Sequence, residues 1–252
     1  MMFKKALILS TGIPLLLSAF ASAQQIPREI QNRILSEFPN LDRDGDGKIT
    51  IKEYMEGRTS VPRKLRYQYN EALERQIEAF RGEKARAVLA EMGLRLEQGI
   101  QYKESQQGRT LLDIVYPKNK IYEKAPVLIY VHGGGYQSGS RSLFYENSMM
   151  LSIVKSLTSQ GVAVATVGYR LIGKDEHTRV MHLNQDIKDA LRYLAQNSDR
   201  FGIDTDQFML WGQSAGGSLA LVGALTPPDH LPGAIFGPGT WSLRASCMWT
   251  MQ

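Results

Sequence analysis

The sequence predicts an α/β fold, a mostly parallel sheet with flanking helices, preceded by a small helical unit. Three observations carry this. Val127–Val131 and Val162–Val167 are continuous apolar runs, the pattern of strands buried on both faces of a parallel sheet. Helical periodicity follows each of them, which implies right-handed βαβ connections. Ahead of these lies a stretch in which Leu65, Tyr69, Leu73, Ile77 and Phe80 recur at spacings of four, four, four and three, a single apolar stripe along a helix.

In chain order, Met1–Lys5 is a basic start, Ala6–Phe20 is apolar, and Ala21-Ser22-Ala23 supplies small residues. Together they describe a signal peptide over residues 1–23, cleaved after Ala23, and a secreted or periplasmic product. Pro14 and an apolar run shorter than the roughly 20 residues of a bilayer span disfavour a membrane anchor, so no span is expected after cleavage. Residues 26–58 form a compact unit around an acidic loop, with Ile30, Ile34 and Phe38 on an entering helix. Residues 62–93 are read as a helical linker, interrupted at Gly82 and stopped by Gly93.

From 94 to 252 the texture is α/β. Leu96–Lys103 and Thr110–Tyr116 are a hairpin turning at Gln106-Gln107-Gly108. The strand Val127–Val131 follows, then a helix from about Ser148 to Gln160, the strand Val162–Val167 and an amphipathic helix Leu183–Ala195. Phe208–Trp211 is a short strand, and Ser218–Leu225 begins the next helix.

The formal charge is +5, and losing Lys4 and Lys5 with the signal leaves +3. That is too mild to draw nucleic acid or an anionic membrane. The basic residues between Arg58 and Arg95 alternate with Glu71, Glu74, Glu78, Glu83 and Glu91, as on a solvated helix face. Cys247 is the only cysteine, so stability rests on a core or on bound metal rather than on an internal disulfide.

Two motifs carry chemistry. Gly212-Gln213-Ser214-Ala215-Gly216 lies between a predicted strand and a predicted helix. In that context a sharp, strained turn lifts a serine hydroxyl above the sheet edge and needs small neighbours. His132-Gly133-Gly134-Gly135 follows a buried strand, where glycines let backbone N–H groups approach a developing oxyanion. A phosphate loop is the poorer fit, because neither G-K-[ST] nor G-x-G-x-x-G is present. His132 is read as bracing the loop.

The second motif is Asp42 to Glu53. Asp42, Asp44 and Asp46 offer carboxylates at positions 1, 3 and 5, and Gly47 turns the chain at 6. Lys48 offers its carbonyl at 7, Thr50 stands at 9, and Glu53 at 12 can clamp an ion with both oxygens. This is the spacing of an EF-hand calcium loop, so Ca2+ is the implied cofactor. The resemblance to EF-hands, which usually pair, implies pairing in a dimer as one partner arrangement, since the sequence holds no second loop.

From about Leu94 to Pro232 the chain resembles the N-terminal part of an α/β-hydrolase of the HGGG esterase and lipase branch, hormone-sensitive-lipase-like or feruloyl-esterase-like. The matching residues are Val131–Gly135, Gly168–Leu171, Asp186 through Ala190-Leu191, Asn197, Phe201–Asp204 and Gly212–Gly217. The resemblance implies that Ser214 is the nucleophile and that the N–H groups of Gly133, Gly134 and Ala215 form the oxyanion hole. It implies structural roles for Arg170, Asp186 and Asp204, and a small-molecule or carbohydrate-linked ester as substrate. Gly168 stands where the family usually has Asp.

The 38 residues after Ser214 contain Asp229, His230 and no Glu, whereas the resemblance calls for an acid and then a histidine. Sixteen helical residues would separate His230 from Ser214 by about 24 Å. The expectation is therefore a C-terminally incomplete hydrolase with negligible turnover. The alternative is a non-enzymatic calcium-binding protein that carries an inactive hydrolase remnant.

Overall fold

A computed structural model describes residues 26–227 and 249–250. The chain divides into two compact units, Met1–Glu83 and Lys84–Gln252.

In the first unit, α1 (Arg28–Glu37) leads through a 3-10 turn at Pro39–Leu41 into the acidic loop, and α2 (Ile51–Gly57) leaves it. Thr50 and Glu53 form a capping box at the start of α2, each satisfying a backbone N–H that the first helical turn leaves open. Helix α3 (Arg63–Ala72) follows, and α4 (Glu74–Glu91) spans the division between the units. The core joins Ile34 of α1, Leu41, Ile49 and Tyr54 to Tyr69, Leu73 and Ile77. The expected linker 62–93 thus contributes its first half to the same core as the acidic-loop unit.

The helix expected to break at Gly82 breaks instead at Leu73 (φ −104°, ψ 13°), a side chain with no solvent exposure. The break follows a buried leucine rather than a flexible glycine. Gly93 ends α4 as expected. It adopts φ +71°, and Leu94 N–H returns to the Leu89 carbonyl at 2.9 Å, a left-handed C-terminal cap.

The second unit is a six-stranded sheet ordered β1-β2-β4-β3-β5-β6. Its strands are β1 (Arg95–Gln101), β2 (Leu111–Tyr116), β3 (Ala125–Val131), β4 (Ala163–Val167), β5 (Ile203–Gln213) and β6 (Trp249–Thr250). The β1–β2 hairpin is antiparallel, and β2 also lies antiparallel to β4. The remaining pairs are parallel, with Ile129 opposite Ala165 and Tyr130 opposite Trp211. Helices α5 (Ser148–Ser159), α6 (Val180–Gln196), the short α7 (Ser198–Phe201) and α8 (Ala215–Leu225) supply the connections.

Adjacent strand residues enter opposite layers, as the two-residue period requires. Ile114, Ile129, Ala165 and Leu210 pack with Leu183, Ile187 and Leu191 of α6 and Leu219 of α8. Their neighbours Val115, Tyr130, Val164 and Trp211 pack with Leu89 of α4 and Met150 and Val154 of α5. Both faces are covered, which is why the sequence shows continuous apolar runs rather than alternation. Each such fully buried aliphatic side chain contributes about 1.5–3 kcal/mol.

One buried charge cluster ties the sheet edge to α6. Arg170 donates to Asp186 from its backbone N–H at 2.9 Å and from Nη2 at 2.7 Å. Lys103 reaches Asp186 at 2.5 Å and Asp189 at 2.6 Å, and Arg192 pairs with Asp189 at 3.1 Å. Asp204 turns the start of β5, accepting from Asp206 N–H at 2.9 Å and Gln207 Nε2 at 2.7 Å. Among the described residues no helix is long and apolar enough to cross a membrane. Residues 1–23, Asp229, His230 and Cys247 lie outside the described residues.

Candidate functional site

Strand β5 delivers Ser214 to the C-terminal edge of the sheet, and α8 begins one residue later. Ser214 is exposed and holds φ 51°, ψ −121°, a conformation that a non-glycine residue keeps only where its surroundings enforce it. The enforcing contacts are backbone. A Cβ at Gly212 would overlap the Gly216 carbonyl, and one at Gly216 would overlap the carbonyls of Val131 and His132. Ala215 N–H opens the first turn of α8, where donors have no partner within the helix.

The loop after β3 closes on the same point. A Cβ at Gly133 would lie 2.7 Å from the Gln213 carbonyl oxygen and 3.3 Å from Ser214 Cβ, so only glycine lets this backbone lie against the serine. No acceptor among the described residues takes the N–H of Gly133 or Gly134. The Ala215 N–H likewise has no acceptor among the described residues.

His132 sits beneath the loop, 2 % exposed. Its Nδ1 lies 2.8 Å from the Gly133 carbonyl, and its ring stacks on Tyr169 at 4.2 Å. Tyr169 in turn donates to the His132 carbonyl at 2.6 Å. Burial, aided by the charges of Arg109 and Arg141, pushes the His132 pKa down to about 3. A neutral imidazole of such low basicity suits a brace, not a general base. Arg109 reaches over from the β1–β2 hairpin and donates from Nη2 to the Gly139 carbonyl, at the far end of the loop.

The Gly168 departure also has a physical reason. A Cβ there would lie 2.5 Å from the Arg109 carbonyl oxygen and 3.1 Å from that of Leu111. The hairpin packs on this backbone so closely that Asp could not be accommodated.

A cavity of about 340 Å³ opens beside Ser214, with Leu143, Phe144 and Met150 as apolar wall and Gln213 and Asn147 as polar groups. Among the described residues, no imidazole or carboxylate accepts the Ser214 hydroxyl. His182 is engaged elsewhere, its Nδ1 accepting from Arg179 N–H at 3.0 Å. It lines a separate polar cavity of about 330 Å³ with Lys103, Gln107, Arg170 and Asp175.

In the first unit, carboxylate oxygens of Asp42, Asp44 and Asp46 lie within 4.8 Å of one another. The loop is folded inward by its own amides. Asp42 accepts from Gly45 N–H at 2.8 Å and Gly47 N–H at 2.9 Å, and Asp46 accepts from Lys48 N–H at 2.8 Å. Gly45 and Gly47 take the positive φ values, +73° and +77°, that this path needs. Glu53 stands apart from the three. Its oxygens accept from Arg43 N–H at 3.0 Å, Thr50 N–H at 2.9 Å and Thr50 Oγ1 at 2.7 Å. Burial works to raise its pKa, but the Thr50 and Arg43 hydrogen bonds outweigh it and hold the carboxyl below its ordinary value.

The second unit is a mixed α/β domain with a mostly parallel sheet that carries a strained serine turn beside a glycine loop. Comparison with known proteins narrows this. Residues 112–236 match the BD-FAE family model. The chain is 39% identical over 126 residues to Gut esterase 1 of Caenorhabditis briggsae, covering 47% of this chain and 21% of that protein. It is 33% identical over 119 residues to Esterase LipC of Mycobacterium tuberculosis, covering 47% of this chain and 28% of that one. Among solved structures, Esterase B of Lactobacillus rhamnosis aligns with a TM-score of 0.50 at 25% identity, over 68% of this chain and 57% of that one. These matches are to esterases, and the chain spans 21% and 28% of the length of the two curated relatives.

The residues that sequence reasoning missed are Arg109, Tyr130, Asn147 and Tyr169. Arg109, Tyr130 and Tyr169 act through partners distant in the chain, while Asn147, directly before a helix, carried the local signal of an N-cap.

Proposed function

We propose that this protein is a serine carboxylic-ester hydrolase acting on small-molecule esters. The observation that carries this reading is the seating of the Gly133 backbone against the strained Ser214. In the proposed reaction, Ser214 Oγ attacks the ester carbonyl and the alkoxide departs with a proton. The acyl-enzyme is then hydrolysed by water, regenerating the serine. The amides of Gly133, Gly134 and Ala215 hold the oxyanion of each tetrahedral intermediate, and each such donor is worth about 10²–10³ in rate. The assay is turnover of p-nitrophenyl butyrate, expected to be slow because no base for Ser214 stands among the described residues, together with mass-detected labelling by an organophosphate. Both should vanish in Ser214→Ala. Absence of both in the unmodified chain would favour the alternative, a calcium-binding protein with an inactive hydrolase remnant.

A second reading concerns the first unit, and the convergence of Asp42, Asp44 and Asp46 favours it. Among the described residues none of the three pairs with Lys or Arg, so three negative charges face one another without a counter-ion. The oxygen-only donor set suits a hard divalent cation. Asp42, Asp44, Asp46, the Lys48 carbonyl and Glu53 would hold Ca2+, with an affinity of about 10⁻⁴–10⁻³ M as in extracellular modules. Calorimetry should detect one ion per chain and severe weakening in Glu53→Gln. No heat in the unmodified protein would end this reading, and sedimentation with and without calcium tests whether two hands pair in a dimer. Export with cleavage after Ala23 completes the proposal, and N-terminal sequencing beginning at Gln24 is its test.

A further inference from the structure

We infer that Gln213 and Asn147 are specificity-determining donors of the Ser214 cavity, selecting an uncharged substrate group that carries an acceptor oxygen beyond the scissile carbonyl. The inference rests on the hydrolase reading above and extends it to substrate class.

A primary amide has one accepting end and one donating end, so fixing the first aims the second. Asn147 caps α5. Its Oδ1 accepts the backbone N–H groups of Met149 at 2.9 Å and Met150 at 3.2 Å. Both partners can only donate, so the oxygen must face them and Nδ2 must face away. Gln213 is engaged at one end, with the Tyr130 hydroxyl donating to its Oε1 at 3.2 Å, which leaves Nε2 to the cavity. The tyrosine is itself fixed against Phe144 at 4.5 Å and Trp211 at 5.3 Å. Among the described residues no acceptor takes either amide nitrogen.

Both side chains line the cavity beside Ser214. The rest of that lining contains no Asp, Glu, Lys or Arg, and His132 is kept neutral by burial. A charged substrate group would find no counter-charge there. A purely aliphatic one would offer neither donor an acceptor in place of the water it displaces. An ether, carbonyl or hydroxyl oxygen in an otherwise apolar group satisfies both the donors and the wall of Leu143, Phe144 and Met150. The discrimination expected from one neutral hydrogen bond is about 2- to 10-fold.

The test uses p-nitrophenyl methoxyacetate and p-nitrophenyl butyrate, acyl groups of one length that differ by an ether oxygen in place of a methylene. Their intrinsic reactivities differ, and that difference cancels when the kcat/KM ratio is compared between proteins. Asn147→Asp keeps the α5 cap and Gln213→Glu keeps the acceptor for Tyr130, yet each replaces the donor by a carboxylate oxygen. Gln213→Met removes the donor without adding charge. The ratio of methoxyacetyl to butyryl ester should fall about 2- to 10-fold in each variant. An unchanged ratio in all three, with Ser214-dependent turnover intact, overturns the donor assignment and leaves the hydrolase reading standing. Binding of both esters to Ser214→Ala, followed by ligand-observed NMR, separates the other case. Preferential binding of the methoxyacetyl ester that the variants abolish, without turnover in the unmodified chain, sustains the assignment and removes the hydrolase reading. Equal or absent binding of the two esters, again without turnover, removes both.

Discussion

Removing one carboxylate from the buried charge cluster should cost far more than removing one cation. Lys103, Arg170 and Arg192 surround Asp186 and Asp189, so these five residues hold three positive charges against two negative. The Lys103 and Asp186 side chains are 5% and 0% exposed. Asp186→Asn leaves three cations around one carboxylate, and breaking a buried pair from one side costs about 3–5 kcal/mol. Lys103 keeps Asp189, and Arg170 keeps the His182 carbonyl at 3.1 Å, which places the cost near the lower figure, about 3 kcal/mol. Lys103→Met instead leaves two cations and two carboxylates in matched pairs and buries one fewer charge. Its net cost is about 0–1 kcal/mol. Residues 1–83 contain no tryptophan, so tryptophan fluorescence in urea reports unfolding of the second unit. With m of about 2 kcal/mol/M, Asp186→Asn should lower the midpoint by about 1.5 M and Lys103→Met by less than about 0.5 M. A Lys103→Met shift equal to or larger than that of Asp186→Asn would refute the charge-count reasoning.

Two further outcomes follow from the site. His132, whose pKa drops from 6.5 to about 3 on folding, stays neutral in the native state while the unfolded chain takes up a proton. Its contribution to stability is complete above about pH 6.5 and is lost as the pH falls toward 3, at up to about 1.4 kcal/mol per pH unit. The His132 imidazole NMR signals should stay constant from pH 7 to pH 4, and a titration midpoint near 6.5 would contradict its burial. Ser214, at φ 51°, should relax when the side chain is removed. Ser214→Gly should melt above Ser214→Ala by the equivalent of about 1 kcal/mol, and equal melting temperatures would count against a strained turn.

What could be read from the sequence was whatever a few adjacent residues determine. Val127–Val131 announced a doubly buried strand because both faces of that strand are in fact covered. Gly212–Gly216 announced a tight turn because its glycines are required by backbone contacts. The failures came where the decisive contact lies elsewhere in the chain. Nothing around Leu73 signals a break, since it depends on a core shared with Ile34 and Tyr54. Gly168 looked like a weak match until the hairpin was found to press on it. Gln213 stood in the sequence only as a member of the serine turn, and its contact with Tyr130, 83 positions away, has no local signal.

The inverted direction of β2 has an evolutionary corollary. Because β2 runs opposite to β4, the tip of the β1–β2 hairpin emerges at the edge where Ser214 also stands. From there Arg109 holds the Gly139 carbonyl. Hairpin tips accept insertions and deletions more readily than any other part of a sheet. Here, though, Lys103 and Gln107 tie the tip to Asp186, Asp189 and the Leu171 backbone, so a length change between Lys103 and Arg109 would shift the glycine loop and strain these contacts together, coupling selectivity to folding.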